Sequence, residues 1–406
     1  MCLLAILIFP GSSPGYSVLT HEELIDLAWN ETIRPLLLQR FPNTTEAELR
    51  EAHAFAYGGS AIQDMGYYPF GKKFFSDLTH YVRTGDFVAW LLQNAQTVNE
   101  YAFAVGALSH YLGDSLGHSE AINLATAVSF PKLERKFGKA VTYDQSPHGH
   151  VRTEFAFDVG ELANTEFAPP GYLRFIGLRV PGRFLQRAFH AVYGFDMRQL
   201  VGRARPALRS YRTSVRTFIP SFAEAEVVLH GNDFPTPTND EIYQRFIERV
   251  QRTNYERRWN HPYSGPGFKA HLLAIVVFLV PKVGPISDLA IKIPTPETQD
   301  LYLRSVNHTV DEFHRILRSV ADDAQPVALA NIDLDTGYPV ERGDYPRADE
   351  AHRNLLDRLT RAPDVPIPAT VKQNLLDYFA GIKQSEKSAK KVKRQLEILA
   401  KMETRP

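Results

Sequence analysis

Among its 406 residues the chain has a single cysteine, Cys2. One thiol cannot build a disulfide framework, nor can it supply a cysteine-type zinc site. Charge of one sign is also lacking: 46 Lys and Arg stand against 46 Asp and Glu. Neither nucleic-acid steering nor a broadly basic membrane face follows from that total. Long hydrophobic runs are missing, and the two short ones, Leu3–Phe9 and Leu272–Val280, cannot span a bilayer. The first, in "MCLLAILIFPGSSPGYS", reads as a secretory signal without the usual basic region, cleaved near Gly15. A mis-assigned start or a frayed apolar tail is the plain alternative. Cleavage there leaves a mature chain with no cysteine. The second run ends at Pro281 and reads as a buried helix. Strictly alternating strand patterns are scarce, and no internal repeat is visible.

What is present is an ordinary globular composition, 44% apolar and 23% charged. The length allows two average domains or one large one with ample core. Helical patterns dominate. Residues 20–40 open with Thr20 and Glu23 at capping-box spacing, and Thr44 or Thr45 repeats the device before residues 46–57. "GGSAIQDMGYYPFG" reads as a loop punctuated by Gly and Pro. Further helices are expected at 74–84, 86–97, 99–125, from about His150, and at 183–194, 202–218, 239–257, 267–280 and 296–321. The expectation is an all-α protein with long connections. Its parts would be a signal over 1–15, a helical domain over 16–325 and a C-terminal extension over 326–406. In the extension, residues 327–348 read as a linker or irregular segment. The lysine-rich tail from Lys383 to Arg405 reads as a solvated helix, with a weak phosphate- or membrane-attracting arm as the sharper alternative.

Chemistry concentrates in the first part. Seven of the fourteen histidines precede residue 151: His21, His53, His80, His110, His118, His148 and His150. In "LSHYLGDSLGHSEAIN", His110, Asp114 and His118 recur every four residues and share one helix face. Residues i and i+8 stand about 12 Å apart along a helix, whereas zinc ligands lie about 2 Å from the ion. His110 and His118 therefore cannot hold one ion, while Asp114, with two oxygens, can face more than one. The stripe implies a polynuclear site, with His110 and Asp114 on one metal and His118 on another. "HVRTE" repeats the pairing in His150 and Glu154, which can share an ion. Imidazole and carboxylate without thiolate suit zinc with positions left for water. His53 has no carboxylate four residues away and reads as structural. His148 is ambiguous, and His150 is preferred because Glu154 partners it.

The segments "THEEL", "GGSAIQDMGYYP", "FSDLTHYV", "GALSHYLGDSLGH" and "HVRTEF" together resemble the zinc-dependent phospholipase C and nuclease P1 superfamily, above all the branch known simply as zinc-dependent phospholipase C. The resemblance covers about residues 16–160. It implies three zinc ions lining a cleft in an all-α domain. Asp64, His80, His110 and Asp114 would hold one ion, and His118, His150 and Glu154 a second. His21 would hold the third with Asp114 and the amine and carbonyl of the mature N-terminal residue. Asp64 would also position or deprotonate the attacking water. Two features depart from the bacterial lecithin-cleaving enzymes and the nuclease. The interval from Asp114 to His118 is four rather than six, closer to the glycosylphosphatidylinositol-specific phospholipase D branch. The usual N-terminal Trp is absent, and Tyr16 would stand in its place.

These readings imply a secreted or periplasmic zinc phosphodiesterase acting on phospholipid head groups with two or three ions, with peripheral membrane contact. The alternatives are a nuclease of the same fold, with nucleic acid as its partner, or a catalytically silent helical protein stabilised by zinc. Tyr67, Tyr68, Phe70 and Tyr81 are candidates to wall a lipid or base pocket, or simply to pack the domain.

Overall fold

The computed structural model describes residues 16–164, 176–201, 204–235, 240–253, 265–279, 291–322, 327–380 and 389–405. The expected signal, residues 1–15, lies outside them. The fold is all-α. The helices that matter here are α1 (Val18–Ala28), α2 (Glu46–Ser60), α3 (Lys73–Tyr81), α4 (Thr84–Asn94), α5 (Val98–Gly117), α6 (Pro147–Ala163), α7 (Gly182–Tyr193), α8 (Ile219–His230), α9 (Asp240–Thr253), α10 (Phe268–Leu279), α11 (Pro296–Asp322), α12 (Pro346–Leu359), α13 (Ala369–Tyr378) and α14 (Ala389–Lys401). Among the described residues, strand pairing is confined to Ile367–Pro368, parallel to Thr404–Arg405, and to a single bridge between Ile332 and Pro339. No described helix is long and apolar enough to cross a membrane.

Helix α1 is the axis, with every residue from Val18 to Ala28 buried. Around it pack α2, α5, α6, α9 and α11. The capping box expected at Thr20 is not formed. The helix begins three residues earlier, after Ser17, so Thr20 sits inside the first turn. The backbone N–H groups of Leu19 and Thr20 donate to the Asp158 carboxylate of α6 at 2.9 and 3.0 Å. A side chain from a distant helix thus satisfies donors that a local cap would serve. At α2 the expected box is present: Glu48 N–H donates to Thr45 Oγ1 and Thr45 N–H donates to Glu48 Oε2.

Helices α2 and α5 cross at glycines. A methyl group at Gly59 would lie 2.1 Å from the Phe103 carbonyl oxygen, and one at Gly106 would lie 2.1 Å from that of Ala56. This close approach brings the C-terminal end of α2 against the middle of α5, just ahead of His110.

One hydrophobic core crosses position 326. Trp29, Leu37, Phe75, Phe103 and Leu108 share it with Leu334, Leu355, Leu375 and Leu399. The tail is not solvated all round, because α14 buries Val392 and Leu399. The largest departure from expectation is α10, which covers "LLAIVVFL". It was expected to be buried, yet Leu272, Ile275, Phe278 and Leu279 are exposed.

Gly106→Ala is expected to push α2 and α5 apart, since backbone blocks the added methyl. The cost should be about 1–3 kcal/mol, seen as a lower denaturation midpoint. An unchanged midpoint would show that the crossing can relax freely.

Candidate metal centre

The structure brings the eight residues singled out in the sequence into two neighbouring groups. All eight are buried. His80, at the end of α3, turns its Nε2 to Asp64 Oδ1 and Asp114 Oδ2, both at 3.3 Å. His110 Nε2 lies 3.0 Å from Asp114 Oδ2 and 3.4 Å from His80 Nε2. On the other side of the same carboxylate, His21 Nε2 lies 3.1 Å from Asp114 Oδ1. Asp114 therefore presents one oxygen to His80 and His110 and the other to His21. The second group is His118, His150 and Glu154: Glu154 Oε1 is 3.0 Å from His150 Nδ1 and 3.7 Å from His118 Nε2.

Backbone carbonyls fix which ring nitrogens face inward. The Nδ1–H of His80 donates to the Ser76 carbonyl at 2.8 Å, and that of His110 to the Ser60 carbonyl at 2.9 Å. The Nδ1–H of His118 donates to the Leu334 carbonyl at 2.8 Å. His150 is reversed: its Nε2–H donates to Asn123 Oδ1 at 2.8 Å and the Val141 carbonyl at 3.0 Å. Each arrangement leaves a lone pair on the inward nitrogen, as metal-bound imidazoles require.

These distances fit a tetrahedral cation. Donor atoms about 2.0–2.1 Å from such an ion stand about 3.3 Å apart, and four separations among Asp64, His80, His110 and Asp114 run from 3.0 to 3.4 Å. The contacts to Asp114 are not aligned for hydrogen bonding. Both its oxygens, both nitrogens of His21 and Nε2 of His118 are buried without a hydrogen-bond partner. Buried polar atoms left so are costly, and a shared cation between them removes that cost. Electrostatics agree. Burial disfavours charge on His80, but the nearby Asp114 and Asp64 carboxylates outweigh it and raise its pKa well above the usual imidazole value, so a positive charge is favoured at this position. Burial likewise opposes charge on His118, yet Glu154, Asp114 and Asp335 push it up to about 9, while burial pushes Glu154 up to about 8. Both groups attract positive charge.

Two glycines within the stripe make room for the neighbours. A methyl group at Gly113 would lie 3.2 Å from the His21 ring, and one at Gly117 would lie 2.6 Å from the Tyr16 ring. His53 is elsewhere, hydrogen-bonded through Nε2 to Asp26 at 2.8 Å and stacked on Trp29. His148 is exposed. Of the aromatic candidates, Phe70 is exposed. Tyr67 and Tyr68 are buried, with hydroxyls that have no hydrogen-bond partner.

Sequence reasoning missed a second layer of the site. The turn "DLDTG", Asp333–Gly337, reaches both groups. Leu334 N–H donates to the His80 carbonyl at 3.1 Å while its own carbonyl receives His118. The Asp335 carbonyl accepts from Asn123 Nδ2 at 3.0 Å, and Asn123 in turn receives His150. The Asp335 carboxylate accepts from Tyr81 and Tyr345 and lies 3.8 Å from His118 Nδ1. Asp333 Oδ1 accepts the Asp335 N–H, and Gly337 has φ +75°. A side chain at Gly337 would be strained by that angle, and its Cβ would meet the Ser115 carbonyl at 2.6 Å. The Asp, Thr and Gly of the turn are legible as turn chemistry. Nothing local ties them to a histidine 216 positions earlier.

The arrangement is a buried set of histidines and carboxylates that could hold metal ions, with Asp114 shared between His21 on one side and His80 and His110 on the other. Residues 20–192 match the family described as zinc dependent phospholipase C. All eight candidate ligands fall inside the matched segment, while Asp335 falls outside it. No curated protein and no solved structure matches the chain.

Asn123→Ala removes an acceptor of the His150 Nε2–H and a link to Asp335. It is expected to weaken zinc retention in the His118 group about 10–100-fold, read by chelator competition as one weakened class of bound zinc beside an unchanged class. Uniform weakening of all bound zinc would contradict the separate support of the two groups.

Proposed function

We propose that this protein is a secreted or periplasmic phosphodiesterase that cleaves phospholipid head groups and uses two or three zinc ions. The observation that carries the reading is Asp114, whose two oxygens face different sets of imidazoles. His80, His110, Asp64 and Asp114 would hold one ion, His118, His150 and Glu154 a second, and His21 with Asp114 a third. The third is supported by Tyr16, the residue that cleavage after Gly15 would expose, whose ring lies 6.1 Å from that of His21.

Bound zinc would supply water acidified towards neutral pH and positive charge opposite the phosphoryl oxygens. The chain's own groups do the rest. Asp64, beside His80, orients the attacking water and takes its proton. Tyr67, with its ring 6.0 Å from that of His80, offers a buried hydroxyl. Burial keeps the Tyr67 and Tyr68 phenols protonated, so both are available as donors to a phosphate oxygen. The burial of the ligands excludes bulk water, which strengthens each of these interactions.

Asp114→Asn should abolish hydrolysis of a chromogenic phosphodiester and release zinc. His53→Ala should keep the rate per folded molecule, while costing about 1–3 kcal/mol for the Asp26 carboxylate left short of a partner. The reverse ranking would overturn the assignment. Wild-type hydrolysis of phosphatidylcholine but not single-stranded DNA is expected. The opposite preference would favour the nuclease, and zinc binding without either activity would favour a structural role.

A further inference from the structure

Helix α10 is built inside out. Its inward face carries Ala270, Ala274 and Val277, each buried. Its outward face carries Phe268, Leu272, Ile275 and Leu279 at spacing i, i+4, i+7 and i+11, with Phe278 beside them. These five are 84, 56, 57, 71 and 74% exposed in that order. A surface helix normally turns its large apolar residues to the core and its polar residues outward. Here the small residues pack against the protein and the large ones face away.

The inner face is firmly seated. Val277 shares a cluster with Leu19, Phe155, Val159 and Phe222, and Leu273 packs against it. Helix α10 thus rests on α8, which rests on α6, the helix of His150 and Glu154. Leu19 lies two positions before His21. The apolar stripe is rigidly linked to the metal centre rather than carried on a loop.

We propose that the outward face of α10 docks on the surface of a phospholipid bilayer, lying in the interface plane. Two observations select this occupant over a second protein. The first is area. The stripe extends about 16 Å along the helix, and five side chains offer several hundred Å² at most, short of the roughly 800 Å² per partner of a standard interface. Shallow insertion at the headgroup–acyl boundary needs no more than such a strip. The second is charge. The helix contains no acidic residue, and its polar positions, Lys269 and His271, are exposed near its start. Cationic and imidazole groups beside large apolar side chains suit a phosphate-rich surface. The proposal rests in part on the phospholipid reading above, which makes a bilayer the place where the substrate is found.

The test uses the full chain with Leu272→Ser, Ile275→Ser and Phe278→Ser combined. These side chains are exposed, so folding should be retained, as the denaturation midpoint will verify. Co-sedimentation is measured with vesicles of phosphatidylcholine, alone and with phosphatidylserine. Each large apolar group withdrawn from a lipid contact lowers a partition constant about tenfold. The triple variant should therefore lose vesicle binding by at least that factor. Its rate on a soluble chromogenic phosphodiester should remain wild-type, and its rate on vesicles should fall with binding. Equal vesicle binding by wild type and variant overturns the proposal. So does a wild-type dimer in sedimentation that the variant converts to monomer without a change in vesicle affinity, since the stripe would then serve a second copy. Vesicle binding lost in the variant, with no phospholipid hydrolysis by the wild type, would refute the phospholipid reading and leave the docking surface standing.

Discussion

The Asp114 carboxylate is fully buried, and among the described residues three imidazoles and no lysine or arginine form ion pairs with it. An ionised carboxylate in such a place is expensive unless opposite charge compensates it. The three rings alone do so poorly, because their contacts with its oxygens are not aligned as hydrogen bonds. The surrounding architecture makes sense as the means of holding that group fixed for a cation. Helix α5 carries it beside His110. The crossing at Gly59 and Gly106 sets the depth of α5 against α2, and Gly113 leaves room for His21.

Support for the ligands comes from nearly the whole length of the chain. Carbonyls of Ser60, Ser76, Val141 and Leu334 each receive a ring N–H, and each belongs to a different segment. Such outer partners fix ring orientation and basicity before any ion arrives. The matched family segment ends at residue 192, yet the Leu334–Asp335 turn touches His80 and His118 directly and His150 through Asn123. The C-terminal part is therefore continuous with the metal centre in its hydrogen bonding, as it is in its core.

Much of this was written in local pattern. The four-residue spacing of His110, Asp114 and His118 put three candidate ligands on one face, and geometry alone separated His110 from His118. His150 and Glu154 followed by the same argument. The all-α class followed from helical periodicity and the scarcity of alternation. Asp64, His80 and His21 came only through resemblance, since each meets the others through tertiary packing. The first turn of α1 was misread because its cap, Asp158, lies 138 positions away. The exposed stripe of α10 was misread because apolar content reveals that a segment seeks apolar surroundings but not which ones. Asp335 was invisible for the same reason as Asp158: its partners are set by folding.

The central claim is that Asp114 lies between two cations, with a further ion at His118, His150 and Glu154. Anomalous scattering at the zinc absorption edge from crystals of the purified protein tests it most directly. The account requires separate peaks on the two sides of the Asp114 carboxylate, one towards His80 and His110 and one towards His21, and another within reach of Glu154. A single peak, or none, with the Asp114 oxygens instead hydrogen-bonded to protonated histidines, would contradict it.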